Sequence, residues 1–497
     1  MRETTPDGIS LGSQVRDVEH GRAAAQPLGH DELLEFSGFD DVRHPHNWSL
    51  ASRIWVTFML AMFNLVVTIS SSIFGSAQAK VADQFGVNEE VAVLGTSLFL
   101  VGYIIGPLIF GPLSERFGRK LPLVIGVGIS SLFGLMPALG QNIATVLVGR
   151  FLAGLFGVAP IAVLGGLITD CWNAVYRGTA LAFCICLVFS GPTFGPIIGG
   201  FIVDSSAGWR WTMWVVVIAG LVLSLLAILV HPETYPPVIL QRIAKELRKQ
   251  TGARNIRSPL DMEEASLHRL AQLYLVRPWV LFFTEPILVL LTLYQSFIYG
   301  LMYLFYQSYP IAFGEVRGWN SGLASLPLLS IIIGVFVGTA MVVIYTQTFF
   351  KRKVEINGGK FEPEDRLPLM IFGGCLVPAG LFWYAWTSNS QIPWPSEVCS
   401  GFLIGWGMYT IFIQCFTYIV DCYPSMANSA MAANGAVRSV FGAVFPLFTR
   451  YMYHNLGIAW ATSLVGFLSA VMVPVPVVFW IYGGRIRSRS ERTRSAR

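Results

Sequence analysis

Polar and apolar positions in this chain separate into long blocks rather than alternating every two or four residues. Twelve apolar runs stand near residues 54–75, 91–112, 121–139, 143–168, 178–203, 211–231, 280–311, 322–346, 367–387, 397–420, 428–450 and 458–482. Each is about 20 residues or more, the length a helix needs to cross a bilayer core. The pattern predicts an all-α membrane protein with twelve transmembrane helices, spans 1 to 12 below. They divide six and six, into an N-terminal half over 51–231 and a C-terminal half over 278–483. A polar central loop, 232–277, joins them. A polar tail, 1–50, is predicted to be disordered, and 484–497 forms a basic tail.

An even number of spans puts both termini on one side, and basic residues choose the side. The tails and the loops after even-numbered spans hold 28 of the 34 lysines and arginines, and the opposite loops hold Lys80, Arg210, Arg317 and Arg450. That asymmetry predicts cytosolic termini. In the central loop, Ile239, Leu240, Ile243 and Leu247 share a helix face opposed to basic residues. A helix lying on the inner leaflet and a solvated linker both fit.

The halves repeat one another. Span 4 ends in Ile168-Thr169-Asp170-Cys171-Trp172 and span 10 in Ile419-Val420-Asp421-Cys422-Tyr423. Pro196 follows the first aspartate by 26 residues and Pro446 the second by 25, and Trp209 and Trp460 each follow by 39. Three features in register point to two parallel six-span repeats.

Composition agrees: 54% of the residues are hydrophobic and 13% charged, against about 25% charged in soluble domains. The seven cysteines form no C-x-x-C pair and read as small apolar side chains. The start lacks a signal-peptide pattern, so span 1 is expected to direct membrane insertion. There is no phosphate-binding G-x-x-x-x-G-K-[ST] and no H-E-x-x-H. The seven histidines lie in tails, loops or beside span ends. Neither an enzyme nor a nucleic-acid partner is expected, and no metal, cofactor or catalytic residue is called for.

Within span 5, Ser190 to Gly200 reads SGPTFGPIIGG. Gly191, Gly195 and Gly199, with Gly200 beside them, offer a face that another backbone can approach closely. Pro192 and Pro196 remove two backbone donors and bend the helix. After span 2, GPLSERFGRKLPL places Gly111, Leu113, Glu115, Arg116, Gly118, Arg119 and Lys120 in a short charged loop. Arg150 lies about two turns inside span 4. At about 2.5 kcal/mol or more, it must face a cavity or a partner, or else snorkel to the outer interface.

These stretches together resemble the major facilitator superfamily, and more closely its fungal twelve-span drug:proton antiporters, a group of multidrug, secondary-metabolite and polyamine exporters. The resemblance covers nearly all of residues 45–483. The charged loop is similar to the superfamily's signature, with Glu115 where aspartate is usual, and span 5 carries the antiporter signature G-x-x-x-G-P-x-x-G-G complete. The resemblance implies two pseudo-symmetric six-helix halves, a cytosolic latch in the loop, a leak-tight hinge in span 5, and export rather than import. It also ties Arg150 to proton coupling. His231-Pro232-Glu233-Thr234-Tyr235, Pro363-Glu364-Asp365-Arg366-Leu367 and Trp209-Arg210-Trp211 are further features of the group.

A proton-coupled carrier needs a carboxyl group at membrane depth. Glu285, a turn or two into span 7, is the preferred carrier. An interfacial glutamate at the cytosolic mouth fits the same position. Gln295, Tyr299, Tyr303 and Tyr306 form a polar stripe along span 7, fit either for lining a cavity or for packing, with Gln414 and Tyr418 of span 10 weaker candidates. The expected function is export of drugs, antifungals or a fungal secondary metabolite in exchange for protons, by alternating access, from the plasma or vacuolar membrane, as a monomer. Polyamine export and nutrient import are the alternatives.

Overall fold

A computed structural model of the chain describes residues 32–36, 41–252, 255–262, 272–358 and 362–489. Eleven helical segments among these are long and apolar enough to cross a membrane. They are Leu50–Phe85, Glu89–Phe117, Lys120–Leu139, Ile143–Cys171, Tyr176–Asp204, Arg210–Val230, Pro286–Val316, Ser321–Ile356, Pro363–Thr387, Trp394–Cys422 and Ala427–Ser488. The last holds two spans, because Gly457 breaks it at φ 73°, ψ 161°. That backbone position favours glycine, and the total is the twelve spans expected.

Two boundaries move in informative ways. Span 2 continues as helix to Phe117, so Gly111, Leu113, Glu115 and Arg116 lie on its last turns rather than in a loop. Gly118, at φ 90°, makes the reversal. Glu285 is not inside span 7 but caps it: a short helix ends at Thr284, and Pro286 opens the next.

The central segment is neither a bare linker nor an unpartnered surface helix. Helix Pro236–Thr251 buries Leu240 and Ala244 against Leu34 of the N-terminal tail, with Phe36, Ile243, Leu247 and Ile256 around them. Strand Glu32–Leu33 pairs in parallel with Ile256–Arg257. Part of the tail predicted to be disordered is thus folded onto the central segment. Residues 1–31 and 37–40 of the tail, and the end of the basic tail, 490–497, lie outside the described residues.

Span 5 packs along span 1 through its glycines, which is why the two helices can touch at backbone distance. A Cβ on Gly191 would lie 2.9 Å from the Leu65 carbonyl oxygen, and one on Gly199 2.9 Å from that of Ile73. Gly200 turns to the other half, where a Cβ would lie 2.7 Å from the Ser321 carbonyl oxygen at the start of span 8. Pro192 and Pro196 sit inside this helix.

Candidate functional site

Between the halves lies a cavity of about 1370 Å³. Spans 2, 4 and 5 form one wall, and spans 8, 10 and 11 form the other. Its mouth is on the side of the basic loops, where Arg119, Lys353, Arg366 and Arg487 line it. Val158, Ile161, Leu181, Ile185, Phe412 and Phe416 give an apolar interior, while Gly165 and Gly166 keep one wall free of bulk.

The opposite side is closed by contacts between the halves. Ser71 of span 1 and Tyr303 of span 7 share a hydrogen bond of 2.7 Å between their hydroxyls, and Thr193 and Tyr306 share one of 3.2 Å. Gly322 donates its backbone N–H to Asp204 at 2.7 Å. Arg450 pairs with Glu89 across the same side. The glycines of span 5 that pack on spans 1 and 8 belong to this closed region.

This placement corrects the expectation for the tyrosine stripe as a cavity wall. Tyr299, Tyr303 and Tyr306 stack on one another edge to face, at 5.2 and 5.5 Å between ring centres, and form part of the seal. Gln295 is fully buried, accepting from the Asn434 amide at 2.8 Å and donating to the Phe412 carbonyl at 3.3 Å. Gln414 is buried, and Tyr418 donates to Glu364 at 3.4 Å. None of the six lines the cavity. Helical spacing put them on one face correctly, but that face turns toward spans 1, 5 and 11.

Arg150 is 1% exposed, which excludes snorkelling to the outer interface. Its guanidinium donates to the carbonyls of Gly95 and Ser70 at 2.8 Å each and of Ser71 at 3.2 Å. It also stands 4.4 Å from the Phe99 ring centre. Three carbonyls and an aromatic face satisfy this charge without a carboxylate. Because Ser71 also meets Tyr303, Arg150 is tied through one residue to the seal between the halves.

At the mouth, the charged signature is braced from two directions. Arg119 pairs with Asp170 at the end of span 4, at 2.9 Å. Glu233 accepts from the backbone N–H of Arg119 at 2.7 Å, and of Thr234 and Tyr235 at 3.0 Å each. A side chain on Gly118 would collide with that carboxylate. Glu115 accepts from Asn428 of span 11 at 2.7 Å, a bond between the halves. Arg116 reaches the Leu260 carbonyl and Lys120 that of Ile228. The second half repeats the brace, with Arg366 on Asp421 at 2.7 Å and Arg487 on Glu364 at 2.6 Å. The sequence repeat around the two aspartates is therefore a repeat of ion pairs. Glu233 and Glu364, read from sequence only as marks of the group, hold these braces.

Glu285 is buried, accepts from the Tyr423 hydroxyl at 3.1 Å, and does not line the cavity. Two buried charges were missed as site residues. Glu397, at the far end of span 10, is fully buried and pairs with Arg317 at 2.9 Å. Arg438 of span 11 lines the cavity. The argument that singled out Arg150 applied to Arg438 equally, since both are arginines inside apolar runs.

Comparison with known proteins agrees with the architecture. The fold matches that of the proton:xylose symporter XylE bound to 6-bromo-6-deoxy-D-glucose, with a TM-score of 0.62 and 18% identity, over 88% of this chain and 96% of that one. The MFS-type transporter oryN of Aspergillus oryzae is 46% identical over 98% of this chain and 96% of its own length. The citrinin biosynthesis cluster MFS transporter mrr1 of Monascus ruber is 44% identical over 99% of both. An ascochitine biosynthesis cluster MFS transporter of Didymella fabae is 42% identical over 93% of this chain and 89% of its own. Residues 60–446 match the Major Facilitator Superfamily. With twelve spans in two halves around one central cavity, the chain belongs to that superfamily and is a multi-pass membrane transporter of small molecules, not an enzyme.

Proposed function

We propose that the protein exports amphipathic organic metabolites in exchange for protons, by alternating access between its two halves. The observation that carries this reading is the complete glycine-proline face of span 5, seated on spans 1 and 8 at the closed end of the cavity. A carrier that must hold a gradient while emptying needs such a tight, dry seal. The cavity is mostly apolar inside and charged at its mouth, which suits amphipathic cargo. Relatives named for citrinin and ascochitine biosynthesis clusters support a secondary metabolite as cargo. The basic loops support a cytosolic mouth and cytosolic termini, and the plasma membrane is the proposed location, with the protein working as a monomer.

In this reading Glu285 takes up the proton and Arg150 links its uptake to release of cargo, through Ser71 and the tyrosines of span 7. Polyamine export is disfavoured, because the carboxylates lining the cavity, Glu115, Glu355, Glu362 and Asp421, all stand at helix ends near its mouth. The test is energised efflux from yeast lacking its own drug pumps, loaded with fluorescent compounds, with and without a protonophore. Efflux above that of empty cells, stopped by the protonophore and by Arg150→Ala, supports proton-driven export. Uptake of the same compounds into cells would establish an importer instead. Efflux that persists in Glu285→Gln would remove Glu285 from the proton path.

A further inference from the structure

Arg438 is the one charged residue that lines the cavity at mid-membrane depth among the described residues. It is twelfth in the helix that begins at Ala427, so it stands about 16 Å along the axis, near the middle of a hydrocarbon core of about 30 Å. It is 9% exposed, and its Nε has no hydrogen-bond partner among the described residues. Its guanidinium stands 5.1 Å from the Tyr299 ring centre and 5.0 Å from that of Phe412. Its Nη2 lies 4.0 Å from where a Cβ on Gly435 would be, so the head turns back toward the start of the helix and the cavity mouth.

The contrast with Arg150 is the substance of the argument. Arg150 spends its donors on three backbone carbonyls. Arg438 has two aromatic faces against its flanks, and its Nε has no hydrogen-bond partner among the described residues. An arginine at this depth is costly unless something compensates it, and the open side of this one is the cavity. Aromatic flanks hold a guanidinium flat while leaving its edge free, the arrangement that receives a carboxylate through two parallel hydrogen bonds.

We propose that Arg438 is the anion-binding group of the transport site, and that the cargo is an amphipathic organic acid. Its carboxylate, or an equally acidic oxygen anion, sits on the Arg438 edge. Its apolar body lies among Val158, Ile161, Leu181, Ile185 and Phe416. Five of the seven cationic side chains that line the cavity, Arg119, Lys351, Lys353, Arg366 and Arg487, are paired with carboxylates, which leaves Arg177 near the mouth and Arg438 to attract an anion. A cationic cargo would meet an uncompensated arginine at the deepest point. This assignment rests on the export reading only for the direction of transport.

The test uses one ring system with three head groups: anthracene-9-carboxylate, its methyl ester, and 9-(aminomethyl)anthracene. Binding is read as thermal stabilisation of the purified full-length protein in detergent. The acid is expected to stabilise the protein saturably, and the ester and amine are not at the same concentration. Arg438→Gln should weaken binding of the acid at least tenfold, and Arg438→Lys by less. Equal stabilisation by the ester or amine, no stabilisation by the acid up to millimolar concentration, or unchanged binding in Arg438→Gln would each overturn the assignment. The first two are read on the wild-type protein, so they hold even if a variant misfolds. Efflux of the three probes from loaded yeast separates the two proposals. An acid bound through Arg438 but never exported leaves the anion site standing and defeats export. Export of the amine or ester but not the acid does the reverse.

Discussion

Replacing Gly195 by valine places a side chain where span 1 already is. A Cβ there would overlap the Ser72 hydroxyl and lie 2.8 Å from the Ile73 nitrogen and 3.1 Å from the Ile69 carbonyl oxygen. Two of these three neighbours are backbone, so rotating a side chain cannot relieve the clash. Overpacking of this kind costs about 1–3 kcal/mol. The cost falls on the conformation in which spans 1 and 5 are pressed together, the one with its outer side sealed. Conformations in which they part escape it, so the balance shifts toward opening by about 5- to 150-fold. Exposure at Thr193, now buried beside Tyr306, reports the shift. In a Thr193→Cys background with the exposed Cys375 and Cys399 replaced by serine, an impermeant maleimide should label the Gly195→Val protein much faster than its parent, and efflux should fall at normal expression. Gly484→Ala is the control, because nothing lies within 4 Å of its added Cβ and it does not line the cavity. Unchanged labelling and full efflux in Gly195→Val, or equal damage from Gly484→Ala, would refute the hinge argument.

Three further outcomes are expected. Arg150→Lys should lower efflux at least tenfold while the protein still reaches the membrane, because one ammonium cannot reproduce the planar fork of bonds to Gly95, Ser70 and Ser71; wild-type efflux in this variant would contradict it. Arg366→Ala and Asp421→Ala should each destabilise the detergent-purified protein, by about 2–3 kcal/mol, and the double variant by clearly less than the sum; strict additivity would mean the brace is not energetic. Burial, aided by nearby Lys120, pushes the His231 imidazole down from 6.5 to about 4. The folded chain therefore binds fewer protons than the unfolded one between those values. Its stability is untouched above pH 7 and falls on acidification, by about 2 kcal/mol at pH 5, and His231→Gln should remove that share of the loss in a thermal melt.

Much of the fold was written in local sequence. Crossing a bilayer requires an apolar helix of a certain length, so twelve runs were visible as twelve spans, and charge between them gave a sidedness. Close approach of backbones requires glycine, so the face of span 5 was legible before its partner was known. The aspartates ending spans 4 and 10 matched in register because each half repeats one ion pair. What sequence could not supply was rotation and partnership. Periodicity places Tyr299, Tyr303 and Tyr306 on one face, but only the packing of span 7 decides that the face meets spans 1 and 5 instead of the cavity. Two arginines inside apolar runs look alike in sequence. Neighbouring spans bring carbonyls to one of them, Arg150, and leave the edge of the other, Arg438, open to the cavity. Glu233 and Arg119 are 114 residues apart, and such a bond exists only once both ends of the half have folded to the same place. Length and hydrophobicity are properties of a segment, whereas the environment of a charge belongs to the whole assembly of helices, and the candidate site is made of such charges.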